Sequence, residues 1–528
     1  MPDIDLSSET PDQLSKLARA AWRYHDWKAL QLIVQALKQK AGLTDIQTSE
    51  LHFLEGLGIK NTQNQILAIP SFRSALHLDS ARYDAAIELA AALLASREPS
   101  ESFELVTAYQ PALNNSPIYL NMAATTLVDL GFPARAEPLY RRAVELQPEV
   151  ELFTANLAAC CIFTSNEELS RELYQKLLEK QPGHQRHLYQ LSRLTRGVDQ
   201  SLVERIKSAL KDNTGGSDDT NVFAYYALAK QYEDLGDWDR AFHYFSKAGS
   251  AITDTLNYKV DEDIDVLEGA RKLEVSEAPN SQVEIEGKVP IFVVGLPRTG
   301  TTLVEQLLAS HSSIETIGET NHIESTVLSL TGYEPQYLSK EIMRQARLVD
   351  PMSLRQEYYR LVSYRLSDKH YFVEKMPSNF LFLPLILSAF PEAKVILLER
   401  NPIDACFAMF KQLFTWAYRF SYSIENLRKY YVAYHELILH FKEQFPDRIV
   451  PIKYEELVAN PENKVPELFA KLDIPYEPEV LTSDRSTVMS MTASALQVRN
   501  QISTSSVDRW KRYETHLEAL KPLINLSH

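Results

Sequence analysis

Cysteine is nearly missing from this chain of 528 residues: three occur, Cys160, Cys161 and Cys406. Neighbouring cysteines rarely bridge, and no metal-ligand spacing appears, so a reducing compartment and no metal centre are expected. Long apolar runs are missing too. No stretch reaches the roughly 18 uninterrupted apolar residues of a transmembrane segment. The opening MPDIDLSSETPDQL is acidic and polar and lacks the apolar core of a signal peptide. A cytoplasmic protein is the expectation. Positive charge is also short, with 55 Lys and Arg against 70 Asp and Glu and a formal net charge of −15. That balance argues against general nucleic-acid affinity and requires any anion site to be a local basic cluster. What remains is ordinary globular material, 45% apolar and 24% charged, and too long for a single core.

The first 250 residues are repetitive. Ser116–Glu149 reads SPIYLNMAATTLVDLGFPARAEPLYRRAVELQPE, and the next stretch echoes it: Ala124 returns as Ala158, Tyr140 as Tyr174, Pro148 as Pro182. The plan recurs in LAKQYEDLGDWDRAFHYFSKA, where Leu235-Gly236, Ala241 and Ala248 match Leu130-Gly131, Ala136 and Ala143. Small residues at a helix crossing, a glycine at the turn and a closing proline suit a stacked helical hairpin. This half resembles tetratricopeptide repeats, which implies a solenoid whose concave face takes a peptide or protein partner. Residues 251–288 read as a charged connector.

From Val289 the pattern changes. Apolar, β-rich runs (VPIFVVGL, HYFVEK, AKVILLER, RIVPIKY) alternate with helical stretches, which predicts an α/β domain with a central parallel sheet over 289–528. Ligands of such sheets bind at the carboxyl ends of the strands. The polar residues closing these runs are Arg298, Lys375, Arg400 and Tyr454.

The first run leads into Gly295-Leu296-Pro297-Arg298-Thr299-Gly300-Thr301-Thr302. Its glycine spacing allows a tight turn with backbone N–H groups facing an anion at a helix N-terminus. A nucleotide-binding P-loop would carry lysine at 301 to reach the β and γ phosphates. Thr302 is there and the lysine is not, which disfavours phosphoryl transfer and leaves a cradle for one terminal phosphate group.

PRTGTT after an apolar strand resembles the 5′-phosphosulfate loop of sulfotransferases that use 3′-phosphoadenosine 5′-phosphosulfate (PAPS) and release adenosine 3′,5′-bisphosphate. The whole layout is similar to bacterial tetratricopeptide-repeat sulfotransferases, and the catalytic half to tyrosylprotein sulfotransferases. The resemblance implies cofactor contacts from Pro297, Arg298, Thr299, Gly300, Thr301 and Thr302. It implies Glu319, 21 positions after Arg298, as the base, and Lys375 at the transferring sulfuryl group. It also implies Arg400 at the 3′-phosphate, Tyr454 near the adenine, and Ser494 and Arg509 in a C-terminal element on the cofactor. Two positions depart from the pattern: Ala408 stands where a serine hydroxyl is expected, and Asn321 where an arginine would hold an acidic peptide.

Sulfuryl transfer depends on positioning and electrostatic stabilisation, a load that Arg298, Lys375 and the loop amides suit. The acceptor is left open among a peptide or protein tyrosine, a carbohydrate hydroxyl and a small metabolite. Plainer roles compete: Glu319 as a helix cap, Lys375 as a solvated strand end, Arg400 paired with Asp404, Tyr454 and the Phe407, Phe410, Trp416 and Tyr418 aromatics as core. His322 lies close enough to Glu319 to serve as an alternative base, while His311 reads as structural. A nucleotide kinase or NTPase with an atypical P-loop, and a repeat scaffold without catalysis, are the other two readings.

Overall fold

The computed structural model describes residues 6–195, 197–212, 218–275, 287–333, 337–414, 417–483 and 502–526. The chain divides into two compact units, Met1–Cys160 and Cys161–His528. Among the described residues no helix is long and apolar enough to cross a membrane.

Among the described residues the first unit's secondary structure is all helical, and its helices pack as successive pairs. In the pair Pro117–Asp129 and Pro133–Leu146, Ala124, Ala136 and Ala143 have no exposed surface, so the two backbones can approach closely. The Thr125 and Tyr140 hydroxyls meet across the pair at 2.9 Å. The repeat-like helices continue into the second unit, where Val222–Asp234 and Trp238–Leu256 follow the same plan. There Ala241 and Ala248 are fully buried, as the sequence echo requires. The helix Trp238–Leu256 runs past residue 250, and a further helix, Val260–Ala270, buries Val260, Val266, Leu267 and Ala270 within the region read as connector.

The sheet of the second unit contains β1 (Val289–Gly295), β2 (Ile314–Gly318), β3 (Tyr371–Glu374), β4 (Lys394–Glu399) and β5 (Ile449–Lys453). All neighbours pair in parallel, in the order β2-β3-β1-β4-β5. The four apolar runs became β1, β3, β4 and β5. The strand β2 was not anticipated, because IETIG is short and mixes Glu315 and Thr316 with apolar residues, as an edge strand can. The central strands β1 and β4 are continuous apolar runs because helices cover both faces of a parallel sheet.

Parallel pairing places all five carboxyl ends along one edge. From β1 the chain passes to β2 on one side of the sheet, and from β4 to β5 on the other. The crevice between the ends of β1 and β4 is therefore the topological switch point, where such folds take their ligands.

Candidate active site at the carboxyl edge of the sheet

The loop after β1 is bent by two glycines and one strained arginine. Gly295 sits at φ 138°, and a Cβ there would lie 2.8 Å from the Leu398 carbonyl oxygen on β4. Gly300 sits at φ 105°, and its Cβ would lie 2.4 Å from the Tyr454 ring. Arg298 adopts φ 69°, a left-handed conformation costly for a residue with a side chain. Pro297, Thr299, Thr301 and Thr302 are buried, and the Thr299 hydroxyl donates to the Leu296 carbonyl at 2.6 Å. Thr301 and Thr302 open the helix Thr301–Ala309, whose first N–H groups have no partner within the helix.

Arg400, two residues after Leu398, reaches back over this loop. One guanidinium nitrogen donates to the Arg298 carbonyl at 2.7 Å and another to the Ser506 carbonyl at 2.6 Å. Its guanidinium lies 4.9 Å from the centre of the Tyr454 ring. Arg298, Arg400 and Tyr454, distant in sequence, thus form one contact chain at the switch point. Burial, with Arg400 and Arg193 nearby, lowers the Arg298 pKa to about 10, which leaves it charged at neutral pH. Asp404, one helical turn beyond Arg400, accepts the backbone N–H groups of Asp508 at 2.7 Å and Trp510 at 3.2 Å. It holds the C-terminal segment that carries Ser506 and Arg509. Arg509 is exposed and donates to the Ser505 carbonyl at 2.7 Å. Ser494 lies outside the described residues.

A second cluster stands at the ends of β2 and β3. Lys375 follows β3 and has no exposed surface. Its ammonium donates to the Glu319 carboxylate and lies 3.7 Å from Glu305 on the loop helix. Lys375 is therefore not a solvated strand end. Glu319 is 41% exposed, so its carboxylate is tied to the buried lysine and also open to a substrate. Burial raises the Glu305 pKa, and one of its carboxylate oxygens has no hydrogen-bond partner among the described residues. The adjacent Glu374 is fully buried and accepts from Tyr358 at 2.5 Å, Thr320 at 2.7 Å and Asn379 at 3.1 Å. Burial nonetheless pushes its pKa up to about 7. His322 has its pKa lowered to about 4 by burial and by Arg365, which makes it a weak base. His311 stacks on Phe469 at 5.3 Å and hydrogen-bonds the Pro475 carbonyl at 2.8 Å, a structural role.

A cavity of about 310 Å³ opens beside the first cluster, lined by Arg298, Arg400 and Arg509. Glu319 and Lys375 do not line it, so the site residues fall into two groups on one edge. Ala408 is part of its wall, where a serine was expected. Sequence reasoning missed Glu305, a carboxylate between Leu303-Val304 and Leu307-Leu308 on the loop helix, and a charge among those apolar residues was the available signal. Among the described residues no group of His, Cys, Asp and Glu could hold a metal ion.

Residues 290–478 match the sulfotransferase family. The C-terminal half of this chain carries a sulfotransferase domain. An uncharacterized protein of Aquifex aeolicus is 33% identical over 313 residues, covering 56% of this chain and 40% of that protein. Protein-tyrosine sulfotransferase 1 of Danio rerio is 26% identical over 195 residues, or 36% of this chain and 55% of that one. The chain thus spans about half or less of the length of these two curated relatives. The sulfotransferase domain from the curacin biosynthetic pathway aligns with a TM-score of 0.32 and 22% identity, over 42% of this chain and 91% of that structure.

Proposed function

We propose that this chain is a sulfotransferase that moves a sulfuryl group from PAPS to an acceptor hydroxyl, with a peptide or protein tyrosine as the first acceptor to test. The carrying observation is the loop at the switch point, where Arg298 is bent into a left-handed turn and covered by Arg400. The absence of lysine at 301 weighs against an NTPase, whose loop needs that charge at the β and γ phosphates.

The charge of the cavity supports a nucleotide of this kind. Six cationic side chains and three acidic ones line it, an excess of three positive charges in a chain of net charge −15. Arg298 and the first N–H groups of the helix Thr301–Ala309 would hold the 5′-phosphosulfate. Arg400 and Arg509 would hold the 3′-phosphate, with Tyr454 supporting Arg400 from below. PAPS supplies, when bound, an activated sulfuryl group on a phosphate leaving group.

Glu319 would take the proton of the acceptor hydroxyl while that oxygen bonds to sulfur and the bond from sulfur to the 5′-phosphate oxygen of the donor breaks. Lys375, buried between Glu305 and Glu319, would orient that carboxylate and lend positive charge to its side of the site. The repeats of 1–250 recruit the acceptor or a partner protein, and 289–528 carries the transfer.

Two measurements test this. Adenosine 3′,5′-bisphosphate should raise the melting temperature, while ATP with magnesium should not. Mass spectrometry of a tyrosine-peptide library and of cell extract incubated with labelled PAPS should then find an added sulfuryl group. Glu319→Gln should lower that turnover by about 100-fold. Stabilisation by ATP and not by the bisphosphate would point instead to a kinase or NTPase.

A further inference from the structure

The cavity beside Arg298 is not built by the sheet domain alone. Part of its wall comes from two repeat-type helices of the same compact unit, Gln185–Leu194 and Val222–Asp234, through Tyr189, Arg193, Tyr226 and Lys230. Two of the lining cations are already neutralised locally. Lys230 pairs with Asp234 at 2.6 Å, and Lys411 with Glu233 at 2.6 Å.

The arginines are different. Among the described residues, Arg193, Arg400 and Arg509 have no carboxylate within ion-pair distance. Arg193 donates to the Gln190 side chain at 3.0 Å, and its guanidinium lies 5.8 Å from the centre of the Tyr189 ring. Arg400 and Arg509 donate to backbone carbonyls. These guanidinium groups, with no carboxylate in direct contact, stand around one cavity, and each retains N–H groups beyond those used. Such a ring matches a dianionic phosphate, which guanidinium groups bind through paired N–H donors. Ala408 presents only a methyl group at this wall, so the sheet domain contributes one donor fewer than its family pattern implies.

We propose that Arg193 is a phosphate ligand, supplied by the repeat-type region to the 3′-phosphate of the nucleotide. This rests on the PAPS reading above and extends it. The repeat region would complete the cofactor site as well as recruit an acceptor. A nucleotide with phosphate at the ribose 3′ position would be held by cations from both regions, and one without it would lose the contact to Arg193.

The test is equilibrium binding of adenosine 3′,5′-bisphosphate and of adenosine 5′-monophosphate to the full chain, as wild type, Arg193→Ala and Arg193→Lys. The alanine variant should bind the bisphosphate at least tenfold more weakly, the scale of one lost charge-assisted hydrogen bond. Its affinity for the monophosphate should change less than twofold, and Arg193→Lys should fall between wild type and alanine for the bisphosphate. Unchanged bisphosphate affinity in Arg193→Ala, with tight wild-type binding, would overturn the assignment and leave the sulfotransferase reading intact. An equal loss for both nucleotides would also overturn it, because the effect would then not lie at the 3′ position. If the wild type binds neither nucleotide, the cofactor reading itself falls, and the role of Arg193 with it.

Discussion

Lys375 is the residue where fold and chemistry are hardest to separate, because its ammonium is buried between Glu305 and Glu319. Removing a partner from a buried ion pair leaves an uncompensated charge. Lys375→Ala should therefore destabilise the protein by about 3 kcal/mol, leaving Glu305 buried alone. Adding Glu305→Gln should restore most of that stability in a denaturant titration and should restore none of the turnover. Recovery of both would make the lysine structural only. Glu374 predicts a pH dependence. Its pKa rises from 4.5 in the unfolded chain to about 7 in the folded one. Stability from this group is present in full below about pH 4.5 and is lost as pH rises through 7, on the order of 3 kcal/mol across the window. Glu374→Gln imitates the protonated carboxyl and should flatten that part of the stability profile. A slope unchanged in the variant would place the titration elsewhere.

The loop between β1 and its helix concentrates conformational cost at a few positions. Arg298→Gly and Arg298→Ala both remove the guanidinium, so both should weaken binding of adenosine 3′,5′-bisphosphate. Glycine adopts φ 69° without penalty, and the glycine variant should be about 1 kcal/mol more stable than the alanine variant by thermal unfolding. Equal stabilities would mean that the turn stores no strain at this residue. This loop was readable in the sequence because its glycines and its following helix are contiguous. The edge strand β2 was not, since five residues of mixed polarity become a strand only by pairing with β3.

Across the second unit, repeat-type helices pack on the sheet domain. Phe242 lies 5.8 Å from Phe410 and stacks on His516 at 4.5 Å. Trp238 meets Tyr513 at 5.5 Å, and Glu233 accepts from Lys411 and from the Tyr513 hydroxyl. A fragment of residues 289–528 would lose this cover over Phe407, Phe410 and Tyr513. It should aggregate in size-exclusion chromatography while the full chain does not. A monodisperse, cooperatively folding fragment would show that the cover is dispensable. The change of pattern at Val289 is a real change of local grammar, from helical periodicity to alternating strands and helices. Compactness follows different limits, because Cys161–His528 clusters as one unit.

Local patterns alone determined the helical hairpins, the parallel sheet, the loop with arginine in place of lysine, and the edge where Arg298, Lys375, Arg400 and Tyr454 gather, while Glu319 came from the family resemblance. Each of those follows from periodicity, from backbone conformation, or from parallel strands sharing one carboxyl edge. Tertiary structure alone decided that these residues fall into two clusters, that Lys375 is buried against Glu305, and that Arg193 lines the arginine-rich cavity. Such contacts join residues 56 to 102 positions apart. Charge at that range has no signature in the chain until packing removes the water between the partners.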